Sequence, residues 1–302
     1  MHLELICHRP EGPAQRPPLL FVHGAYAGAW VWEPHFLPYF AAQGYTAYAL
    51  SLRGHGESEG GEQRLLTRLK HYVADVEAAV ARIGTPPVLI GHSMGGVVVQ
   101  KYMHTNPVPG VVLMASGPPY GLFGCWLNMV LTQPLLLAEL TAVQMLGPTA
   151  PVDIENIRRW LFSDDTPAEV LYRMVPRMVA ESPLVVLDMW GLSLPPSRAP
   201  GNMPMLVVGA ERDAFIHPGA VMATAWTYRT EPTIFPDVGH AMMLDHHWEM
   251  VAERIAHWLE ATLQTPAYFL LGVNAALFVI GMFIETSASI IVLAPILAPV
   301  AQ

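Results

Sequence analysis

The sequence predicts an α/β protein, a mostly parallel sheet with helices on both faces, interrupted by a helical insertion. Three observations predict it. Short apolar runs alternate with stretches of helical periodicity up to residue 117 and again from residue 203. Between them, from 118 to 202, prolines recur and apolar helical pieces follow one another without strand-like alternation. Finally, Gly91-His92-Ser93-Met94-Gly95-Gly96 joins an apolar run ending at Ile90 to a helix-like run from Val97 to His104. A strand that turns straight into a helix across three glycines belongs to a sheet whose strands are connected through helices.

The elements follow in chain order. Leu3 to His8 alternates weakly and reads as a first strand, closed by the Pro/Gly stretch from Pro10 to Pro18. Leu19 to Val22 is a short buried strand ending at His23-Gly24-Ala25. Glu33 to Gln43 reads as a helix closed by Gly44, and Tyr45 to Leu52 as the next strand. Apolar residues at 65, 69, 72, 73, 76, 80 and 83 lie on one face of a helix with a 3.6-residue period. After the strand and helix around Ser93 comes a buried strand from Val108 to Ala115. The insertion carries helical pieces at Trp126 to Leu146, Ile154 to Phe162, Ala168 to Val179 and Val185 to Trp190. Strands resume at Met203 to Ala210 and Thr233 to Val238, and an amphipathic helix runs from about His247 to Gln264.

Composition excludes several classes of function. The chain of 302 residues carries a net charge of −9 and has no Lys/Arg run that could track phosphates, so nucleic acid is not an expected partner. Cys7 and Cys125 match no metal or redox spacing and read as free thiols of a reducing compartment. The first ten residues lack the basic, apolar and small-residue order of a signal peptide, and the expected location is the cytoplasm. Thirteen histidines include the neighbours His246 and His247, but no metal-ligating spacing occurs, so neither metal nor cofactor is expected.

The residues that carry chemistry are Ser93 and what can activate it. A serine hydroxyl is a weak nucleophile near neutral pH and needs a base within hydrogen-bond reach, itself oriented by a third group. G-x-S-x-G on a strand-to-helix turn is the nucleophile-elbow pattern, whose acid and base follow in the order Ser, Asp or Glu, His. His240, just beyond the last strand, is the expected base. Asp213, in the loop after the strand ending at Ala210, is the expected acid, with Glu211 as its rival; Asp237 and Asp245 read as solvent-facing. Backbone N–H groups must stabilise the oxyanion formed on acyl transfer. Met94, the first residue after the nucleophile, offers one. Ala25 offers the second, with Tyr26 beside it as a side-chain alternative.

These motifs, together with Phe21-Val22-His23-Gly24-Ala25 and Arg53-Gly54-His55-Gly56-Glu57-Ser58, resemble the α/β-hydrolase superfamily over residues 1–264. The resemblance implies a core of residues 1–117 and 203–264, with 118–202 as a helical cap roofing the pocket. The segment before His23 is shorter than the usual strand pair, so a reduced first sheet edge is expected. Epoxide hydrolases and dehalogenases of this superfamily use an aspartate nucleophile, against which Ser93 argues. The cap is rich in Leu, Met, Phe and Trp, and an apolar lining suits an acyl chain. Tyr26, Trp126 and Trp160 are the expected substrate contacts. The resulting expectation is a serine-dependent carboxylic ester hydrolase acting on small-molecule esters with short-to-medium acyl chains. The alternatives are a C–C bond hydrolase or haloperoxidase-like member of the fold and, in another class, a non-catalytic membrane-associated binding module.

Residues 265–302 do not fit that fold. Tyr268 to Ile284 is a stretch of 17 residues without charge, followed by Glu285 and a second apolar run broken by Pro295 and Pro299. Seventeen residues is the short limit for a bilayer span. Gly281 to Thr286 and Ile291 to Pro299 are similar to a segment of the large permease subunit of TRAP dicarboxylate transporters. The resemblance implies a membrane tether or a fusion remnant, with membrane contact over residues 266–301. Much of the high mean hydropathy of +0.34 comes from this tail.

Overall fold

The computed structural model describes residues 1–14, 16–146, 153–198, 201–263 and 277. The tail read from the sequence therefore lies outside the described residues, apart from Leu277. By compactness the chain divides into Met1–Trp258 and Leu259–Gln302. The sheet and every candidate site residue belong to the first unit.

Seven strands form one sheet: β1 (Leu5–His8), β2 (Leu19–Val22), β3 (Ala47–Leu50), β4 (Val88–His92), β5 (Val111–Met114), β6 (Met205–Ala210) and β7 (Pro232–Phe235). Their order is β1-β3-β2-β4-β5-β6-β7. β1 runs antiparallel to β3, and every other pairing is parallel. The reduced first edge expected from the sequence is this single antiparallel strand. β2, β4, β5 and β6 are buried along their whole length, which explains their unbroken Val, Leu and Ile runs: a strand covered by helices on both faces has no polar side.

The covering helices are α1 (Phe36–Ala42), α2 (Leu69–Ile83) and α3 (Met94–Tyr102). The apolar face of α2 read from periodicity is real, with Leu69, Tyr72, Val76 and Ala79 buried. Residue 65 does not belong to that face, because Gly61–Leu66 is a separate 3-10 turn and Leu65 is exposed. Phe21 of β2 sits among Trp32, Phe36 and Phe40, with ring centroids 4.9 to 6.0 Å away.

Between β5 and β6 the chain forms α4 (Phe123–Thr132), α5 (Pro134–Leu146), α6 (Ile154–Leu161), α7 (Ala168–Met174) and α8 (Pro183–Leu187), the last running into a π-helical turn at Asp188–Leu192. The sequence suggests one helix from Trp126 to Leu146. Instead the helix breaks at Gln133, and α4 and α5 meet at a bend of 120°. Pro134 is the cause: it has no N–H for the helical ladder and forces the residue before it out of helical geometry, as the φ/ψ of −139°/53° at Gln133 record. Among the described residues no single helix is long and apolar enough to cross a membrane, although α4 and α5 as a bent pair meet that test by length and composition.

Helix α9 (Pro218–Thr227), between β6 and β7, has no counterpart in the sequence reading. α10 (Trp248–Leu263) begins one residue after the expected His247. Cys7 and Cys125 are both free thiols, the first exposed and the second buried.

Candidate active site

β4 delivers Ser93 to the carboxyl edge of the sheet. Its backbone takes φ 52° and ψ −117°, a left-handed conformation that costs a residue with a side chain and that only a tightly held turn sustains. The turn is held at both ends. Ser93 N–H donates to Met114 O at 3.1 Å, and Ser93 O accepts from Gly96 and Gly117 N–H, each at 3.1 Å. Glycine at 95 is obligatory, since a Cβ there would lie 2.4 Å from the carbonyl oxygens of Val22 and His23. The loop after β2 is thus pressed against the start of α3. Gly24 lies on the same seam, where an added Cβ would come within 3.0 Å of the Ser93 Cβ.

Asp213 and His240 are brought together from the ends of β6 and β7. His240 Nδ1 lies 2.7 Å from Asp213 Oδ2, and the carboxylate side chain is fully buried while the imidazole is 8% exposed. Nδ1 faces a carboxylate, so it carries the proton and leaves the Nε2 lone pair free. The other oxygen of Asp213 accepts N–H bonds from Phe215 and Ile216, both at 2.8 Å, so its carboxylate cannot rotate away. Glu211, the rival acid, is exposed, and among the described residues its carboxylate accepts only a 3.4 Å bond from Asp237 N–H.

Two cavities meet at Ser93. One, of about 160 Å³, is lined by Ser93, His240, Trp160 and Met243; the other, of about 340 Å³, by Ser93, Met94, Cys125 and Trp126. Ala25 and Tyr26 border both. Ser93, His240, Met94, Ala25 and Tyr26 therefore surround one region, which Asp213 reaches only through His240, and Trp126 and Trp160 face different cavities. Tyr26 itself sits at a positive φ of 64°. Its hydroxyl donates to Gln144 Oε1 of α5 at 2.8 Å, and burial pushes its pKa upward. Burial also raises the Cys125 thiol to about 12, which keeps it protonated against the wall of the larger cavity.

Three contributors were not legible in the sequence. His92, the residue before Ser93, bonds through Nε2 to His240 O at 2.9 Å. A carbonyl can only accept, so His92 Nε2–H donates, and β4 is tied to the loop that carries His240. Asp245 is wholly buried, not solvent-facing: its Oδ2 accepts from Ser163 N–H at 2.7 Å and Gly239 N–H at 3.2 Å. Phe215 packs against the His240 ring, tilted by 44° at a centroid distance of 4.8 Å.

His23 and His92 lie buried beside the site as neutral rings. Burial, aided by the nearby His55, lowers His23 to about 3, and burial followed by the neighbouring His240 takes His92 well below its usual value. His23 is fixed in one tautomer, Nδ1 donating to Gly24 O at 2.7 Å and Nε2 accepting Leu52 N–H at 3.0 Å. The sign of the pH dependence follows. The unfolded chain takes up these protons below about pH 6.5 while the folded chain does not, so stability is full above that pH and drains away toward pH 3. Between pH 7 and 5 the His23 contribution falls by about 2 kcal/mol, and His92 adds in the same sense. The urea midpoint should drop accordingly, and neither imidazole should titrate by NMR between pH 8 and 5. A His23 resonance with a midpoint near 6.5 would refute this.

Comparison with known proteins identifies the fold. Residues 19–254 match the model of the alpha/beta hydrolase family. The chain belongs to that family. A monoacylglycerol lipase of Mycolicibacterium smegmatis is 27% identical over 242 residues, covering 76% of this chain and 83% of that protein. Among solved structures, BpoC of Mycobacterium tuberculosis superposes with a TM-score of 0.68 at 22% identity, over 87% of this chain and 97% of the other. A monoacylglycerol lipase of Paleococcus ferrophilus does so with a TM-score of 0.64 at 19% identity, over 87% and 100%. Residues 239–302 of this alpha/beta hydrolase also match the model of the DctM component of tripartite ATP-independent periplasmic transporters, as the tail resemblance implied.

Proposed function

We propose that this hydrolase is a serine-dependent carboxylic ester hydrolase that works through an acyl-enzyme. The observation that carries the reading is the 2.7 Å bond from His240 to the buried Asp213, beside a strained serine at the meeting point of two apolar cavities. In the proposed cycle, His240 Nε2 takes the Ser93 hydroxyl proton as Oγ attacks the ester carbonyl carbon. The carbonyl oxygen becomes an oxyanion, held by the backbone N–H groups of Met94 and Ala25. The C–O bond to the alcohol then breaks, and the departing oxygen takes the proton from His240. Water, deprotonated by the same Nε2, repeats the attack on the acyl-enzyme and releases the acid. Asp213 keeps the imidazole in the tautomer with Nδ1–H and stabilises the imidazolium.

The apolar walls support short-to-medium acyl chains as substrates. Hydrolysis of p-nitrophenyl esters from acetate to dodecanoate tests this, with an expected optimum between four and ten carbons, on the order of what such a cavity accommodates. A serine-directed phosphonate should label the wild-type chain once, and Ser93→Ala should abolish the label. Labelling that survives the substitution would defeat the nucleophile assignment; labelling without ester turnover would move C–C bond hydrolysis to the front. The reading takes the enzyme to act in the cytoplasm on small-molecule esters. Membrane contact through residues 266–301 is tested by comparing the extraction behaviour of the full chain with one ending at Gln264.

A further inference from the structure

The two cavities at Ser93 are not equivalent, and the chemistry of the reaction distinguishes them. The departing oxygen must receive its proton from His240, so the alcohol of the ester has to lie on the His240 side. Only the smaller cavity, about 160 Å³, is lined by His240, together with Ala241, Met243 and Leu244. The larger, about 340 Å³, is lined by Met94, Gly117 and Cys125 instead. The acyl chain therefore belongs to the larger cavity and the alcohol to the smaller.

One group in the alcohol cavity is out of keeping with its walls. Glu139, on α5, lines the cavity with Trp160 and Val143, in company otherwise almost wholly apolar. Its Oε1 accepts a hydrogen bond from Asn156 Nδ2 at 2.8 Å. Its Oε2 is buried and has no hydrogen-bond partner among the described residues. A buried carboxylate oxygen left without a donor is costly, and such groups in folded proteins call for an explanation. The cavity that the carboxylate lines is the one that receives the leaving group, so a donor on the substrate is within its reach.

Resting on the esterase reading above, we propose that Glu139 is a specificity-determining residue. It accepts a hydrogen bond from the alcohol portion of the substrate, which selects esters whose alcohol carries a second donor, a hydroxyl or an ammonium group. The acyl portion stays apolar, so the substrate class is a monoacyl ester of a diol, polyol or amino alcohol.

The test is kinetic and uses the full chain. Wild type, Glu139→Gln and Glu139→Leu are assayed on butyrate esters of n-propanol, ethylene glycol and ethanolamine, which match closely in size and differ in the terminal group. The readout is the ratio of kcat/KM for each donor ester to that for the propyl ester. In wild type at least one ratio should exceed about ten, as a site built around a hydrogen bond discriminates against an analogue lacking it. Glu139→Leu should lower that ratio at least about tenfold. Glu139→Gln keeps an acceptor but no charge, so it should retain a hydroxyl preference and lose an ammonium one. Ratios near one in wild type, or the same ratios in Glu139→Leu, overturn the assignment while leaving ester hydrolysis standing. No turnover of any ester, the p-nitrophenyl series included, overturns both.

Discussion

Ser93→Ala, His240→Ala and the double variant are each expected to lose ester hydrolysis to the same extent, on the order of 10⁶-fold in kcat. The equality is the informative part. Ser93 has no function without a base, and His240 has no proton to take without Ser93, so the second substitution removes nothing further. What remains should be the modest rate that the backbone donors and binding alone provide. Asp213→Asn is expected to fall less, roughly 10⁴-fold. An amide at this position can donate to Nδ1, which would leave the imidazole proton on Nε2, where it blocks proton transfer from Ser93. Full kinetic characterisation with one ester from the p-nitrophenyl series decides the matter. Losses that multiply in the double variant would show that Ser93 and His240 do not act as a unit.

The second large effect is expected on stability. Asp245 is a fully buried carboxylate whose four hydrogen bonds come from Ser163 N–H and O–H, Gly239 N–H and His247 N–H. It joins the helical segment between β5 and β6 to the residue before His240. Asp245→Ala leaves the Ser163 and Gly239 donors buried without an acceptor, at a cost of about 3 kcal/mol or more. Asp245→Asn retains one acceptor oxygen and should cost less. Because Gly239 precedes His240, the proposed base, kcat should fall in both variants beyond what the loss of folded protein explains. Urea unfolding with activity measured on the folded fraction provides the check, and a change below about 1 kcal/mol with normal kcat would reject this role.

How legible these features were depended on whether the physical requirement leaves a local mark. The turn at Ser93 does: a strand running into a helix with backbone packed against backbone demands glycine at fixed offsets, and Gly91 and Gly95 occupy them. Buried parallel strands leave an equally plain mark in their apolar runs. Helix α9 leaves little, because the residues it buries are small (Ala220, Val221, Thr224 and Ala225), and an Ala/Thr face carries weak hydrophobic contrast. Asp245 leaves none. Its partners are backbone groups and a serine 82 residues away, so a carboxylate near a helix start looked like any solvated one. Glu139 was hidden for the same reason, since its neighbours come together only when α5 and α6 fold over the sheet. Asp213 fell between these cases: its loop was legible, while its advantage over Glu211 became plain only with the two N–H bonds that hold its carboxylate.

Ser93, Asp213 and His240 emerge from three strands, β4, β6 and β7, and the last of these is the outermost strand of the sheet. Residues 92 and 240 are 148 positions apart in the chain. At the usual pace of synthesis, roughly 5–20 residues per second, Ser93 leaves the ribosome roughly 7–30 s before His240 is made. On the proposed mechanism Ser93 is inert throughout that interval. Contacts of such long sequence separation also form late in refolding. Recovery of hydrolytic activity in a refolding experiment is therefore a clock for the docking of β7, and should lag behind the return of helical signal from the earlier part of the chain.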